Sequence, residues 1–142
     1  MFYIDGDTYI DGDTMKVMQQ REAAQRGEYD ASPVARAIVD VAVDKKASDV
    51  TLLDIREATT LADFFVISTG TSDRQLGAIR NAVEQLMGDG EVPLLNREGM
   101  PSDGWILLDY GQIIVHIFAP EQRAYYDLER RWKDATTLLK IQ

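Results

Sequence analysis

Gly70-Thr71-Ser72, ahead of a helix-forming segment, is the first place in this chain where residue types and spacing could do chemistry. Free N–H groups at a helix start attract anions, and nucleotidyl-transfer sites use a glycine-serine turn of this kind against phosphate. Such chemistry also needs paired carboxylates, commonly one residue apart on a strand, to hold metal ions. The segment 50–56 offers Asp54-Ile55-Arg56, with a cation where the second carboxylate belongs. No Gly-Lys pair follows Gly70, so the GxxxxGK phosphate loop is not met either. A plain N-cap is the better reading of Ser72. Serine-based catalysis would need His116, the single histidine, as its base. That residue stands mid-strand, and alternation puts it on the face of Gln112, Ile114 and Phe118. A histidine so placed is more often a packed or interface side chain than a base. Nothing in the spacing argues for a glycosidase pair of carboxylates. Cysteine is absent, which removes thiolate nucleophiles, disulfides and cysteine zinc sites. No catalytic residue, metal or cofactor is expected.

The other carboxylate cluster lies at the N-terminus, where Tyr-Ile-Asp-Gly-Asp-Thr occurs in tandem at 3–8 and 9–14. Asp5, Asp7, Asp11 and Asp13 invite a calcium reading, but the EF-hand loop needs a glycine at its sixth position, and counting from Asp5 that position is Ile10. The stretch reads as an extension added by an upstream start, with Met15 a plausible natural start. Residues 16–31 are polar and read as either a frayed helix or a linker, so 1–31 is expected to be a partly disordered extension.

The 142 residues suit one domain with a real core, here expected over 32–142. No apolar run approaches the roughly 20 residues that span a bilayer, and the acidic N-terminus is unlike a targeting peptide. A cytoplasmic location is the plain expectation. The net charge is −9: residues 1–32 carry three cations against seven anions, and 33–142 twelve against seventeen. Both parts are acidic, so phosphate backbones should repel the chain and little direct nucleic-acid binding is expected. A basic protein surface is the complementary partner, although such charge also serves solubility alone.

Hydrophobic periodicity places the elements that must position these groups. Ser32-Pro33 reads as the N-cap and first position of a helix to about Lys46, with Val34, Ile38, Val41 and Ala42 on one face. Strands follow at Val50–Ile55 and Phe64–Ser68. Leu76, Ile79, Val83 and Leu86 stripe a helix from Asp73, which Gly88 and Gly90 end. Further strands are predicted at Val92–Leu95, 105–109 and 112–118, with a polar loop over 96–103. One last helix is predicted from Pro120 to about Asp134, packed onto the sheet through Tyr125, Leu128 and Trp132. The order implies an α/β (α+β) domain, a mixed five-stranded sheet layered with helices. Trp105, at a strand start beside Arg97-Glu98-Gly99, could pack in the core, the commoner fate, or anchor an interface with Tyr110 and Asp109.

Between 33 and 135 the chain resembles the Iojap, or ribosomal silencing factor, family. The resemblance rests on Ala62-Asp63-Phe64-Phe65-Val66-Ile67, Thr69-Gly70-Thr71-Ser72 with Gln75, Ala78-Ile79, Glu98-Gly99, Trp105, Leu108-Asp109-Tyr110-Gly111, Val115-His116-Ile117-Phe118, Arg123, Tyr126, Leu128-Glu129 and Trp132-Lys133-Asp134-Ala135. It departs at Gln112, where the family usually has an acidic residue, so no charge-dependent role carries over to that position. The resemblance implies a nucleotidyltransferase-like mixed sheet without the catalytic carboxylates. It also implies binding to the large ribosomal subunit through its fourteenth ribosomal protein, where it would block the small subunit and repress translation. The contact candidates are Asp63, Glu98, Trp105, Asp109, Tyr110 and His116. Two other readings stand beside this one: a nucleotidyltransferase-like enzyme using the Gly70-Thr71-Ser72 turn, and a self-associating module. Family members form homodimers, so association could coexist with repression.

Overall fold

The fold is taken from a computed structural model that describes residues 2–3, 9–25 and 30–142. The first residues of the two hexapeptides meet in a short antiparallel pair, with β1 (Phe2–Tyr3) against β2 (Tyr9–Ile10) and Tyr3 opposite Tyr9. The second Asp-Gly-Asp-Thr then opens helix α1 (Gly12–Gln25). Asp11 caps it by accepting from the Thr14 N–H at 2.8 Å and the Thr14 hydroxyl at 3.1 Å. Asp5 and Asp7 of the calcium reading lie outside the described residues. Among those described, no three His, Asp or Glu side chains converge as a metal site. Of the stretch expected as a frayed helix or linker, residues through Gln25 are helical and 26–29 lie outside the description.

Helix α2 spans Ser32–Asp44. Ser32 is its first helical residue rather than its cap. The capping position is Ala31, and Asp30 instead accepts from the Ser32 N–H at 3.0 Å. Val34, Ala35, Ile38 and Ala42 are buried along one face, and Lys46 turns the chain out at φ 65°. Strands β3 (Ser48–Asp54) and β4 (Phe64–Thr69) follow as an antiparallel pair. Helix α3 (Asp73–Asp89) is capped by Ser72, whose hydroxyl accepts from the Gln75 N–H at 3.1 Å. Gln75 also joins the two helices, because its amide donates to the carbonyls of Lys45 (3.2 Å) and Lys46 (2.8 Å) at the end of α2. Gln75→Ala is therefore expected to destabilise the fold by about 1 kcal/mol, measured by urea denaturation. An unchanged midpoint would show that these bonds contribute nothing net.

The sheet has six strands, not the five expected, in the order β5 (Asn96–Glu98), β6 (Trp105–Asp109), β7 (Ile113–Phe118), β4, β3 and β8 (Thr136–Ile141). The edge strand β5 is Asn96–Glu98, displaced from the predicted 92–95. Pro93 has no N–H to give a ladder, and pairing starts only where the Leu95 N–H reaches the Asp109 carbonyl at 2.8 Å. After a 3₁₀ turn (Pro101–Asp103), β6 (Trp105–Asp109) and β7 (Ile113–Phe118) form a hairpin. Its turn is fixed by Gly111 at φ 86° and by Asp109 Oδ1, which accepts from the Gly111 N–H at 2.7 Å. Strand β7 pairs parallel to β4, so the sheet is mixed.

The predicted last helix is broken. α4 (Pro120–Tyr126) stops at Asp127, which takes a left-handed conformation (φ 44°), and α5 (Leu128–Arg131) restarts at a new angle. The chain then adds β8 (Thr136–Ile141) antiparallel to β3. The break also changes which tyrosine packs: Tyr125 is 81% exposed, while Tyr126 lies against Trp105 with ring centroids 4.3 Å apart.

The sheet's two faces are covered unequally. One face buries Val50, Leu52, Phe64, Val66, Leu108 and Val115 with the apolar sides of α2 and α3. On the other, a smaller cluster of Leu53, Ile55, Phe65, Ile67, Phe118 and Leu128 is covered by the α4–α5 segment, with Trp105, Tyr126 and Trp132 packed around it.

Candidate functional site

The less covered face carries the unusual side chains. Alternation along β6 puts Trp105, Leu107 and Asp109 on it, and each is only partly buried. Register places Leu107 opposite Glu98 on β5 and His116 on β7. Asp109 lies between Asn96 and Ile114 in the same way. Gly99 lets β5 approach this closely. Its φ is 83°, and a Cβ there would sit 2.0 Å from the Trp105 carbonyl oxygen.

Trp105 is the centre of an aromatic stack. Its ring lies 5.2 Å from Phe118 and 5.9 Å from His116, and Tyr126 packs against it at 4.3 Å while also lying 6.1 Å from Phe118. The indole N–H donates to His116 Nδ1 at 3.2 Å. An accepting Nδ1 puts the neutral ring's proton on Nε2, which finds no partner. His116 is 4% exposed, with Phe65 edge-on at 4.8 Å. Burial, aided by the Arg123 guanidinium, lowers its pKa to about 4. It is thus a neutral support beneath Trp105, unable to touch a partner from the surface.

The outer edge of Trp105 opens into a cleft of about 250 Å³ lined by Glu98, Gly99, Asp103, Trp105, Leu107 and Tyr126. Across Tyr126 lies a second depression of about 430 Å³, bounded by Glu121, Gln122 and Tyr125. The two linings contain three carboxylates and no lysine or arginine. Exposed Met100 adds apolar surface nearby in sequence.

The other candidates fall elsewhere. Tyr110 turns to the opposite side: it is 8% exposed within the helix-covered core, where burial and the nearby Glu84 raise its hydroxyl pKa. It cannot serve as the anchor expected beside Trp105. Asp63 precedes β4 at the hairpin-turn end of the sheet, half-buried, its N–H donating to the Gln112 carbonyl at 2.8 Å. Gln112 thus contributes through its backbone. The grouping on the open face is therefore Glu98, Trp105 and Asp109, with His116 behind them and Asp63 at the end.

One residue of this face was not proposed from the sequence. Arg123 on α4 donates to Thr69 Oγ1 (2.9 Å), Thr51 Oγ1 (3.2 Å) and Glu129 Oε1 (2.8 Å), joining α4, α5, β3 and β4. The only signal available was its place in the family motif, because its partners Thr69 and Thr51 are 54 and 72 residues away.

The Gly70-Thr71-Ser72 turn is closed on itself. The Gly70 N–H donates to the Phe118 carbonyl at 2.9 Å and the Thr71 N–H to Gln75 Oε1 at 2.8 Å. Asp54 is taken up by Arg56, whose Nη2 lies 2.6 Å from Oδ2, and this pairing lowers the carboxyl pKa.

Residues 28–142 match the family model described as "Ribosomal silencing factor during starvation". The chain belongs to the ribosomal silencing factor family. A ribosomal silencing factor from Halalkalibacterium halodurans is 36% identical over 70% of this chain and 86% of its own length. The mouse protein named "Mitochondrial assembly of ribosomal large subunit protein 1" is 29% identical over 67% of this chain and 43% of its own. A crystal structure of a Chromobacterium violaceum protein superposes with a TM-score of 0.70 at 31% identity, covering 73% of this chain and 87% of that one. Among the described residues, no helix is long and apolar enough to cross a membrane.

Proposed function

We propose that this ribosomal silencing factor binds the large ribosomal subunit in the cytoplasm and represses translation by obstructing the small subunit. The observation that carries the reading is the carboxylate-rimmed aromatic cleft at Trp105, whose lining holds no cation. Aromatic side chains there supply apolar area with polar tips, and Glu98 and Asp103 favour lysine and arginine. With a net charge of −9 on the chain, the complementary partner is a basic ribosomal protein, the fourteenth of the large subunit, rather than bare RNA. Obstruction needs occupancy and no covalent step, so the protein acts without catalysis. An interface of about 1,600 Å² in total suffices for specific binding. The internal bonding of the Gly70 turn and the pairing of Asp54 with Arg56 weigh against the nucleotidyltransferase alternative. Self-association through the open face would compete with the ribosome.

Cosedimentation with purified large subunits, followed by addition of small subunits, tests this. The protein is expected to pellet with large subunits and reduce joining; failure at either step ends the proposal. Asp109 caps its own turn, so its charge reversal would mix folding with binding. Glu98 is exposed, and its carboxylate accepts only from the Asn96 amide among the described contacts. Glu98→Arg is expected to weaken binding about tenfold, the equivalent of roughly 1.4 kcal/mol, and to flatten its salt dependence. Equal affinity of parent and variant across salt would remove Glu98 from the interface.

A further inference from the structure

Helix α1 precedes the family match, yet it grips the turn that feeds the edge of the open face. Val17 is fully buried over Gly90, the residue that ends α3. A Cβ at position 90 would lie 2.2 Å from Val17 Cγ1, so the glycine forms the notch that admits this side chain. One turn further along α1, Arg21 pairs with Glu91 at 2.7 Å. Glu91 is held at φ 60°, a left-handed conformation that is unfavourable for a non-glycine residue. Two adjacent residues of one strained turn are thus held from α1. The Glu91 and Val92 N–H groups close on Gly88 and Met87 carbonyls (3.0 and 2.8 Å). Pro93 stiffens the short path to Leu95, which opens the pairing with β6. Opposing the grip, Asp13 of α1 faces Asp40 of α2, and burial together with this like charge raises the Asp13 carboxyl pKa. Among the described residues, α1 is seated by buried Val17 and Thr14, the Arg21–Glu91 ion pair and a 3.4 Å bond from the Asp30 N–H to Gln20 Oε1, against the like charges of Asp13 and Asp40.

We propose that α1 is a displaceable strap that sets the position of β5, and with it Glu98, by clamping the Gly90-Glu91 turn. As regulation of the docking face it rests on the function proposed above, but the coupling itself is measurable without ribosomes. The test is amide hydrogen exchange on the full chain with Val17→Asp. Expected is loss of protection in α1 together with at least about fivefold faster exchange at residues 91, 92 and 95, while 113–118 on β7 stay protected. Release of α1 with unchanged exchange at 91, 92 and 95 overturns the proposal. So does an α1 that keeps its protection. If Val17→Asp unfolds the whole chain, the same comparison is made with Val17→Ala. Large-subunit binding is measured in parallel. A parent chain that does not bind removes the docking reading and leaves the exchange result to decide the coupling alone.

Discussion

Lowering the pH from 6.5 to 4 is expected to remove about 3 kcal/mol of folding stability through His116 alone. The folded-state pKa of about 4 lies below the ordinary 6.5. Between those values the unfolded chain binds a proton that the folded chain refuses, so stability falls as pH falls. The contribution is complete above pH 6.5 and exhausted near pH 4. The cause is local. A proton on Nδ1 would face the Trp105 indole N–H, turning a 3.2 Å hydrogen bond into a donor–donor contact. It would also place a cation in an apolar cluster near Arg123. Asp13, whose pKa is raised, acts in the opposite sense on acidification, and Asp54, whose pKa is lowered, acts below the ordinary carboxylate value of 3.8. The comparison is therefore between the parent and His116→Gln, which can still accept from Trp105 and does not titrate. Urea denaturation from pH 4 to 7 should show the extra slope in the parent only. Parallel curves would mean that His116 is open to water and keeps its ordinary pKa in the fold.

That buried histidine also marks the boundary of what the sequence could reveal. Alternation placed His116 on the face of Ile114 and Phe118, and the register agrees. The face itself was legible because each strand carries its period within five or six residues. The depth was not, because Tyr126 and Trp132 reach the stack from a segment whose direction changes at Asp127. A continuous helix would bury Tyr125, Leu128 and Trp132 together. One left-handed residue rotates the phase, so Tyr126 packs and Tyr125 faces solvent. Asp is among the few residues for which that conformation is mild, but nothing local requires it there. Strand β8 was missed for a related reason. Leu138 and Leu139 are adjacent and break the two-residue period, and the pairing with β3 absorbs this at a register shift between Leu52 and Leu53. Tyr110 shows the same limit at a turn: spacing set it beside Trp105, but strand alternation has ended there and its ring falls to the other side of the sheet.

Arg123→Met is expected to cost about 3 kcal/mol and to loosen the part of the open sheet face that α4 and α5 cover. Among the described residues, the guanidinium is the one side-chain group that bonds both segments of the broken helix to the sheet, and its side chain is 13% exposed. Methionine keeps most of the stem's packing and removes all three bonds. The hydroxyls of Thr51 and Thr69, on residues 1% and 4% exposed, then lose their charged donor. Glu129 is less affected, since a third of its side chain already meets water. Both tryptophans of the chain report on the change, because Trp105 and Trp132 flank the cluster that α4 and α5 cover. A red-shifted emission with a lower urea midpoint is the expected pair of readouts. Arg123→Lys should fall between, restoring the charge opposite Glu129 without the fork that reaches two threonines. The acid transition provides an independent check. Removing the Arg123 charge takes away the secondary cause of the low His116 pKa, so the acid loss of stability in Arg123→Met should begin at the same pH as in the parent, be smaller, and level off at a higher pH. A variant with the parent's midpoint, emission and acid profile would show that α4 and α5 are held by apolar contact alone.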